Sequence, residues 1–189
     1  MTAAKPIPHA TDSMRFLVQM GNPKNRIHAS SYRTHECRSY SALNSSLRVR
    51  IIQLPEASVV RRSHYLGGRY ENIYVENESL PEISVILDAA KMQAAEILGY
   101  PHPMLHIGWW LNLMQPGDVT YVHTHDDNDE LLSGVYYIDV PRDSGRLVRL
   151  DAGRRQEIAP GAGMFFFRAR RATRSNAQRV RSPASFRWL

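Results

Sequence analysis

Gly117-Asp-Val-Thr-Tyr-Val-His123-Thr-His125-Asp-Asp127-Asn-Asp-Glu130-Leu-Leu-Ser133-Gly134-Val-Tyr-Tyr137 is the stretch on which the reading of this chain turns. Side chains of a strand alternate with period two, so a strand over Val119 to His125 sends Tyr121, His123, His125 and, if extension continues, Asp127 to one face. Two imidazoles and a carboxylate then converge. Imidazole is a good ligand for iron, zinc, copper and nickel, and two histidines with one carboxylate on one side of a metal leave positions open for substrates. A lone strand histidine is ordinarily a packed or solvated residue. Here the run of carboxylates after it and the aromatic strand Val135-Tyr136-Tyr137-Ile138 favour metal binding. Two ligand sets stay open, His123 with His125 or His125 with Asp127, and Glu130 is a further carboxylate spaced to coordinate.

Outward from this stretch the chain changes character twice. After Pro103, short aromatic and β-branched runs at His106 to Met114, Gly134 to Val140, Gly145 to Leu150 and Gly163 to Phe167 alternate with Pro, Gly, Asp and Asn turns, the pattern of an antiparallel β half. Short strands at such spacing predict a sandwich or barrel. Before Pro103 two helices are expected. Leu43, Leu47, Ile51 and Leu54 recur at helical spacing ahead of Pro55. Between Leu80 and Leu98, Ser79 and Glu82 have capping-box spacing, Ile83, Ile86, Leu87, Ala90, Ala94, Ile97 and Leu98 form one stripe, and Gly99 ends it. Residues 1–40 read as extended or irregular, with a short strand at Arg15 to Met20. Tyr65 to Tyr74, with Gly67-Gly68, reads as a lip over a barrel mouth.

The 189 residues are enough for one core and too few for two ordinary domains. No run is long and apolar enough for a membrane span, no apolar stretch follows the first residues, and a single cysteine, Cys37, points to a reducing cytoplasm. The formal charge is +6, yet residues 168–189 hold seven arginines and no acid, so the rest of the chain is slightly acidic. A basic tail of this kind suggests nucleic acid. Its only aromatics are Phe186 and Trp188, and stacking platforms are what single-strand binding requires, so the sequence argues against that partner.

The strings Trp110-Leu-Asn112-Leu-Met-Gln-Pro-Gly117, His123-Thr-His125-Asp-Asp, Glu130-Leu-Leu-Ser-Gly-Val-Tyr-Tyr137-Ile-Asp-Val-Pro141 and Ser144-Gly145 together resemble a bacterial and phage-type branch of the iron(II)- and 2-oxoglutarate-dependent oxygenases. The likeness covers Leu105 to Phe167. It implies an α+β fold: a double-stranded β-helix, the jelly roll or cupin-like barrel, with flanking N-terminal helices over residues 41–167. It implies Fe(II) held by His123, His125 or Asp127 and a later distal histidine. It implies 2-oxoglutarate chelated to the iron with its far carboxylate on a basic side chain, and hydroxylation of a small molecule or protein side chain. Asn112 and Tyr121 are the candidate 2-oxoglutarate contacts, each equally readable as an ordinary sheet residue.

The pattern breaks after Phe167. No histidine follows His125, and Arg168-Ala-Arg-Arg-Ala-Thr-Arg has neither strand alternation nor a helical stripe. Arginine and alanine codons are what a GC-rich gene gives out of frame, and the shifted reading permits a histidine where the family places its distal ligand. Residues 168–189 therefore read either as a solvated basic tail or as a frameshifted ending, and a chain so altered is expected to have impaired activity. A cupin-type metal enzyme or ligand-binding barrel, and a basic-tailed nucleic-acid binder, are the alternatives.

Overall fold

The computed structural model describes residues 15–20, 34–36, 40–121, 132–151 and 154–169. Nine strands and two longer helices follow one another as β1 (Arg15–Met20), β2 (Thr34–Glu36), α1 (Ser41–Ile52), β3 (Val59–Leu66), β4 (Arg69–Val75), α2 (Ile83–Leu98), β5 (Trp109–Met114), β6 (Leu132–Asp139), β7 (Leu147–Asp151), β8 (Arg154–Ile158) and β9 (Met164–Ala169). Seven of the strands form one antiparallel sheet in the order β2-β9-β6-β1-β5-β4-β3, and β7 pairs with β8 in a separate ribbon. The architecture is α+β with antiparallel sheets, and the described strands do not close into a barrel.

The helices form where the periodicity places them. In α1 the buried positions are Asn44, Leu47 and Ile51; in α2 they are Ile83, Ile86, Ala89, Ala90, Ala94 and Leu98. Gly99 ends α2 at φ 68°, a left-handed conformation that glycine adopts without steric cost. The capping box does not form: α2 starts at Ile83 with no side-chain cap on Glu82. The Glu82 carboxylate is engaged instead by α1, pairing with Arg50 and accepting from Ser46 Oγ at 3.4 Å.

One face of the large sheet meets these helices. Leu111 and Leu113 of β5, Tyr136 and Ile138 of β6 and Phe165 and Phe167 of β9 join Leu47, Ile51, Ile83 and Ile86 in the main core. Tyr136 stacks at a tilt on Phe165, with centroids 4.5 Å apart, and its hydroxyl donates to Asn44 Oδ1 at 2.7 Å in the interior. Gly134 is required here, because a Cβ would sit 2.8 Å from the Phe167 ring. On the opposite face Met114, Val135, Tyr137, Met164 and Phe166 form a smaller cluster, covered by Leu147 and Ile158 of the β7–β8 ribbon.

One expectation is sharpened and three are corrected. Residues 15–20 form the expected strand, but it is a central one, pairing with both β5 and β6, and Thr34–Glu36 extends the sheet on β9, so this part of the chain belongs to the sheet. Tyr65 to Tyr74 is not a free lip; it lies in the β3–β4 hairpin at the sheet edge, turned by Gly67 and Gly68 at φ 59° and 85°. Val119 to Tyr121 is irregular rather than extended in a ladder. Its backbone follows a turn at Gly117 (φ 88°) and is tied by side chains, described below, instead of by a neighbouring strand. Finally β9 runs past Phe167 through Arg168 to Ala169.

Candidate functional site

Between the large sheet and the β7–β8 ribbon lies a cleft of about 750 Å³, within the range of small-molecule sites. Its floor is the second face of the sheet: Asn112 and Met114 from β5, Tyr137 from β6, Phe166 and Arg168 from β9. Leu147 and Arg149 of β7 line the other wall, and the rim is made of residues 115–121 and 141–146. The floor is apolar toward its middle and polar at its ends, where Asn112, Ser133 and Arg168 face the space. Ser133 and Arg168 are directly paired across β6 and β9, which brings a hydroxyl and a guanidinium to one end of it.

Residues 115–120 are anchored by a buried arginine. The Arg69 side chain, 12 % exposed, donates from Nη1 to Asn112 Oδ1 at 2.8 Å and from Nη2 to Thr120 Oγ1 at 3.0 Å. It also pairs with Glu71 at 3.3 Å and with Asp118 at 3.5 Å, while Asp118 Oδ2 accepts the backbone N–H of Gln115 at 2.7 Å. One cation thus ties the β4 edge, the β5 floor and the turn after β5 into a unit. Its partners lie 43 and 51 residues away in sequence, so no local pattern marks Arg69 beforehand.

Of the residues singled out by sequence, Asn112 is 1 % exposed and lines the cleft floor, and Tyr121 lines the rim, 61 % exposed. His123, His125, Asp127 and Glu130 lie outside the described residues, as does the arginine-rich ending from residue 170 on. The positions that flank the histidine segment, Tyr121 and Ser133, both line the cleft. Among the described residues no group of three or more His, Cys, Asp or Glu side chains is placed to hold a metal ion, and no helix is long and apolar enough to cross a membrane. Neither a protein-family model, nor a curated protein, nor a solved structure matches the chain.

The described lining combines hydrogen-bond donors with positive charge. A dicarboxylate needs a small cleft, hydrogen-bond donors and positive charge, and Asn112, Ser133, Tyr137, Arg149 and Arg168 bring all three to one cavity. Asn112 and Tyr121, named from sequence, line this cleft, and so do Ser133, Arg149 and Arg168, which the sequence did not single out. Arg168 was assigned to the aberrant tail, and Arg149 sits in a ribbon whose second strand, Arg154–Ile158, carries little hydrophobic signal.

Proposed function

We propose that the chain is built on the scaffold of an Fe(II)- and 2-oxoglutarate-dependent oxygenase, with the sheet and ribbon as two sides of an incomplete jelly roll. Metal is held by His123 and His125, with Asp127 as the carboxylate, and the oxoacid occupies the cleft beside Asn112 and Tyr121. The substrate is a small molecule or a protein side chain. The observation that supports this reading is connectivity: Tyr121 and Ser133, which bracket the segment bearing both imidazoles in sequence, both line the cleft. Iron with 2-oxoglutarate supplies dioxygen activation and hydroxylation at carbon. The chain's own described residues supply a partly covered cavity, donors for the oxoacid and a rigid rim.

Residues 126–189 contain no histidine, so none of them supplies a distal imidazole, and turnover is weak while binding persists. The test is metal analysis of protein loaded anaerobically with Fe(II), followed by measurement of succinate formed from 2-oxoglutarate. The expected outcome is retained iron that is lost in a His123→Ala/His125→Ala double variant, with little succinate. A chain that retains no metal, or retains it equally in the double variant, refutes the reading. Sequencing the coding DNA across codon 167 tests the origin of the ending: a histidine codon in the shifted frame supports the frameshift, and its absence removes it.

A further inference from the structure

The amide of Asn112 is the most constrained polar group in the cleft. It is 1 % exposed, and the atom 2.8 Å from the Arg69 guanidinium must be its oxygen, because a guanidinium has only N–H donors. That fixes which way the amide lies. Its Nδ2 has no hydrogen-bond partner among the described residues, while Asn112 forms part of the cleft floor. With its oxygen committed to Arg69, the amide nitrogen on the cleft floor is the end of the group available to donate to a ligand oxygen.

We propose that Arg69 is a positioning residue for the cleft: by holding Asn112 Oδ1 it turns the amide so that Nδ2 donates to an oxygen of a bound carboxylate or similar oxyanion. The inference rests on the reading of the cleft as an oxoacid site, and it adds a residue outside the cleft lining that acts through another. The arrangement is stiff. Arg69 is itself held by Glu71, Thr120 and Asp118, so rotating the amide by half a turn would set N–H against N–H and leave the guanidinium short of an acceptor. The same contacts hold the rim at Asp118 and Thr120, so amide and rim move together or not at all.

The decisive variant is Asn112→Asp. It keeps the shape but replaces the donor with an acceptor facing the ligand and sets a third carboxylate beside Glu71 and Asp118 around Arg69, so thermal unfolding checks that the variant is folded and Arg69→Gln serves as the second variant. The full chain is titrated calorimetrically with 2-oxoglutarate, succinate and inorganic phosphate, with and without Mn(II), alongside thermal unfolding. Wild type binds at least one of these anions. Asn112→Asp binds that anion about tenfold to a hundredfold more weakly, the loss of a hydrogen bond to a charged acceptor. Arg69→Gln weakens it by a smaller factor.

Equal affinity in wild type and Asn112→Asp overturns the inference and leaves the oxoacid reading standing. That result is also what anion capture by the arginines beyond residue 168 would give. Binding of succinate or phosphate but not 2-oxoglutarate, lost in Asn112→Asp, supports the inference and overturns the 2-oxoglutarate assignment. A wild-type chain that binds none of the three overturns both.

Discussion

The two faces of the seven-stranded sheet are made by the same strands and have opposite characters. Toward the helices, Leu111, Tyr136, Phe165 and Phe167 are at most 1 % exposed and pack on residues of α1 and α2. Toward the ribbon, Met114, Val135, Met164 and Phe166 are slightly more open, at 6–8 %, and a cavity separates much of the floor from its cover. β9 shows the contrast within one run: Phe165 and Phe167 turn to the helices, Met164 and Phe166 to the ribbon, and the next residue on the ribbon side, Arg168, is exposed. Stability is concentrated on one side of the sheet and polar chemistry on the other. Substitutions on the two sides should therefore separate stability from binding.

The strongest way to break this contrast is to truncate neighbouring phenylalanines on opposite faces. Phe165→Ala removes a ring held between Tyr136 and Phe167 and should cost about 3–5 kcal/mol in a denaturant titration. Phe166→Ala borders the cleft and should cost about 1–2 kcal/mol less, since solvent can enter the space, while changing anion affinity. Equal losses would mean that the cleft face is as tightly packed as the other. Gly134→Ala, which drives a methyl into Phe167, should cost about 1–3 kcal/mol; combining it with Phe167→Leu, which frees space, should recover part of that loss.

A finer probe is Tyr136→Phe. It leaves Asn44 Oδ1 without its hydroxyl donor in the interior, a cost of about 1–3 kcal/mol read from the unfolding midpoint, with no effect on cleft binding. The smallest effect lies away from both faces. The Arg62 guanidinium donates to Glu56 at 2.7 Å and holds that carboxyl below its ordinary value. A lowered folded-state pKa gives stability that is present above the unfolded value of 4.5 and is lost as pH falls through the folded value. Because Glu56 is half exposed, the contribution is small. Arg62→Gln should lower neutral stability by that small amount and leave stability at acid pH unchanged, flattening the acid limb slightly.

What could be read from sequence follows from which faces are covered. β5, β6 and β9 are covered on both sides or nearly so, and their apolar runs, Trp109 to Met114 and Met164 to Phe167, stand out. The helices were legible through their single buried stripes. β3 was not: as an edge strand it buries no residue and its second half is exposed, so Val59-Val-Arg-Arg-Ser-His-Tyr-Leu lacks alternation. β2 is three residues long and depends wholly on β9 for its pairing. The expected strand at Val119 failed in its described part because the composition fits a strand while long-range contacts to Arg69 decide the backbone. Asn112 was named only through the family resemblance, and the arginine bonded to it was not singled out at all.

The position of β1 sets the order in which this molecule can be completed. Its six residues are made early, yet both of its neighbours, β5 and β6, come from the far side of two helices and a hairpin, ending at Asp139. During vectorial synthesis that segment must wait, unpaired and carrying Phe16, Leu17 and Val18, until most of the chain has left the ribosome. Such non-local pairing makes folding slow and leaves nascent material open to self-association. Chaperone dependence during expression, more than the melting temperature of the finished protein, would then govern how much of it a cell accumulates.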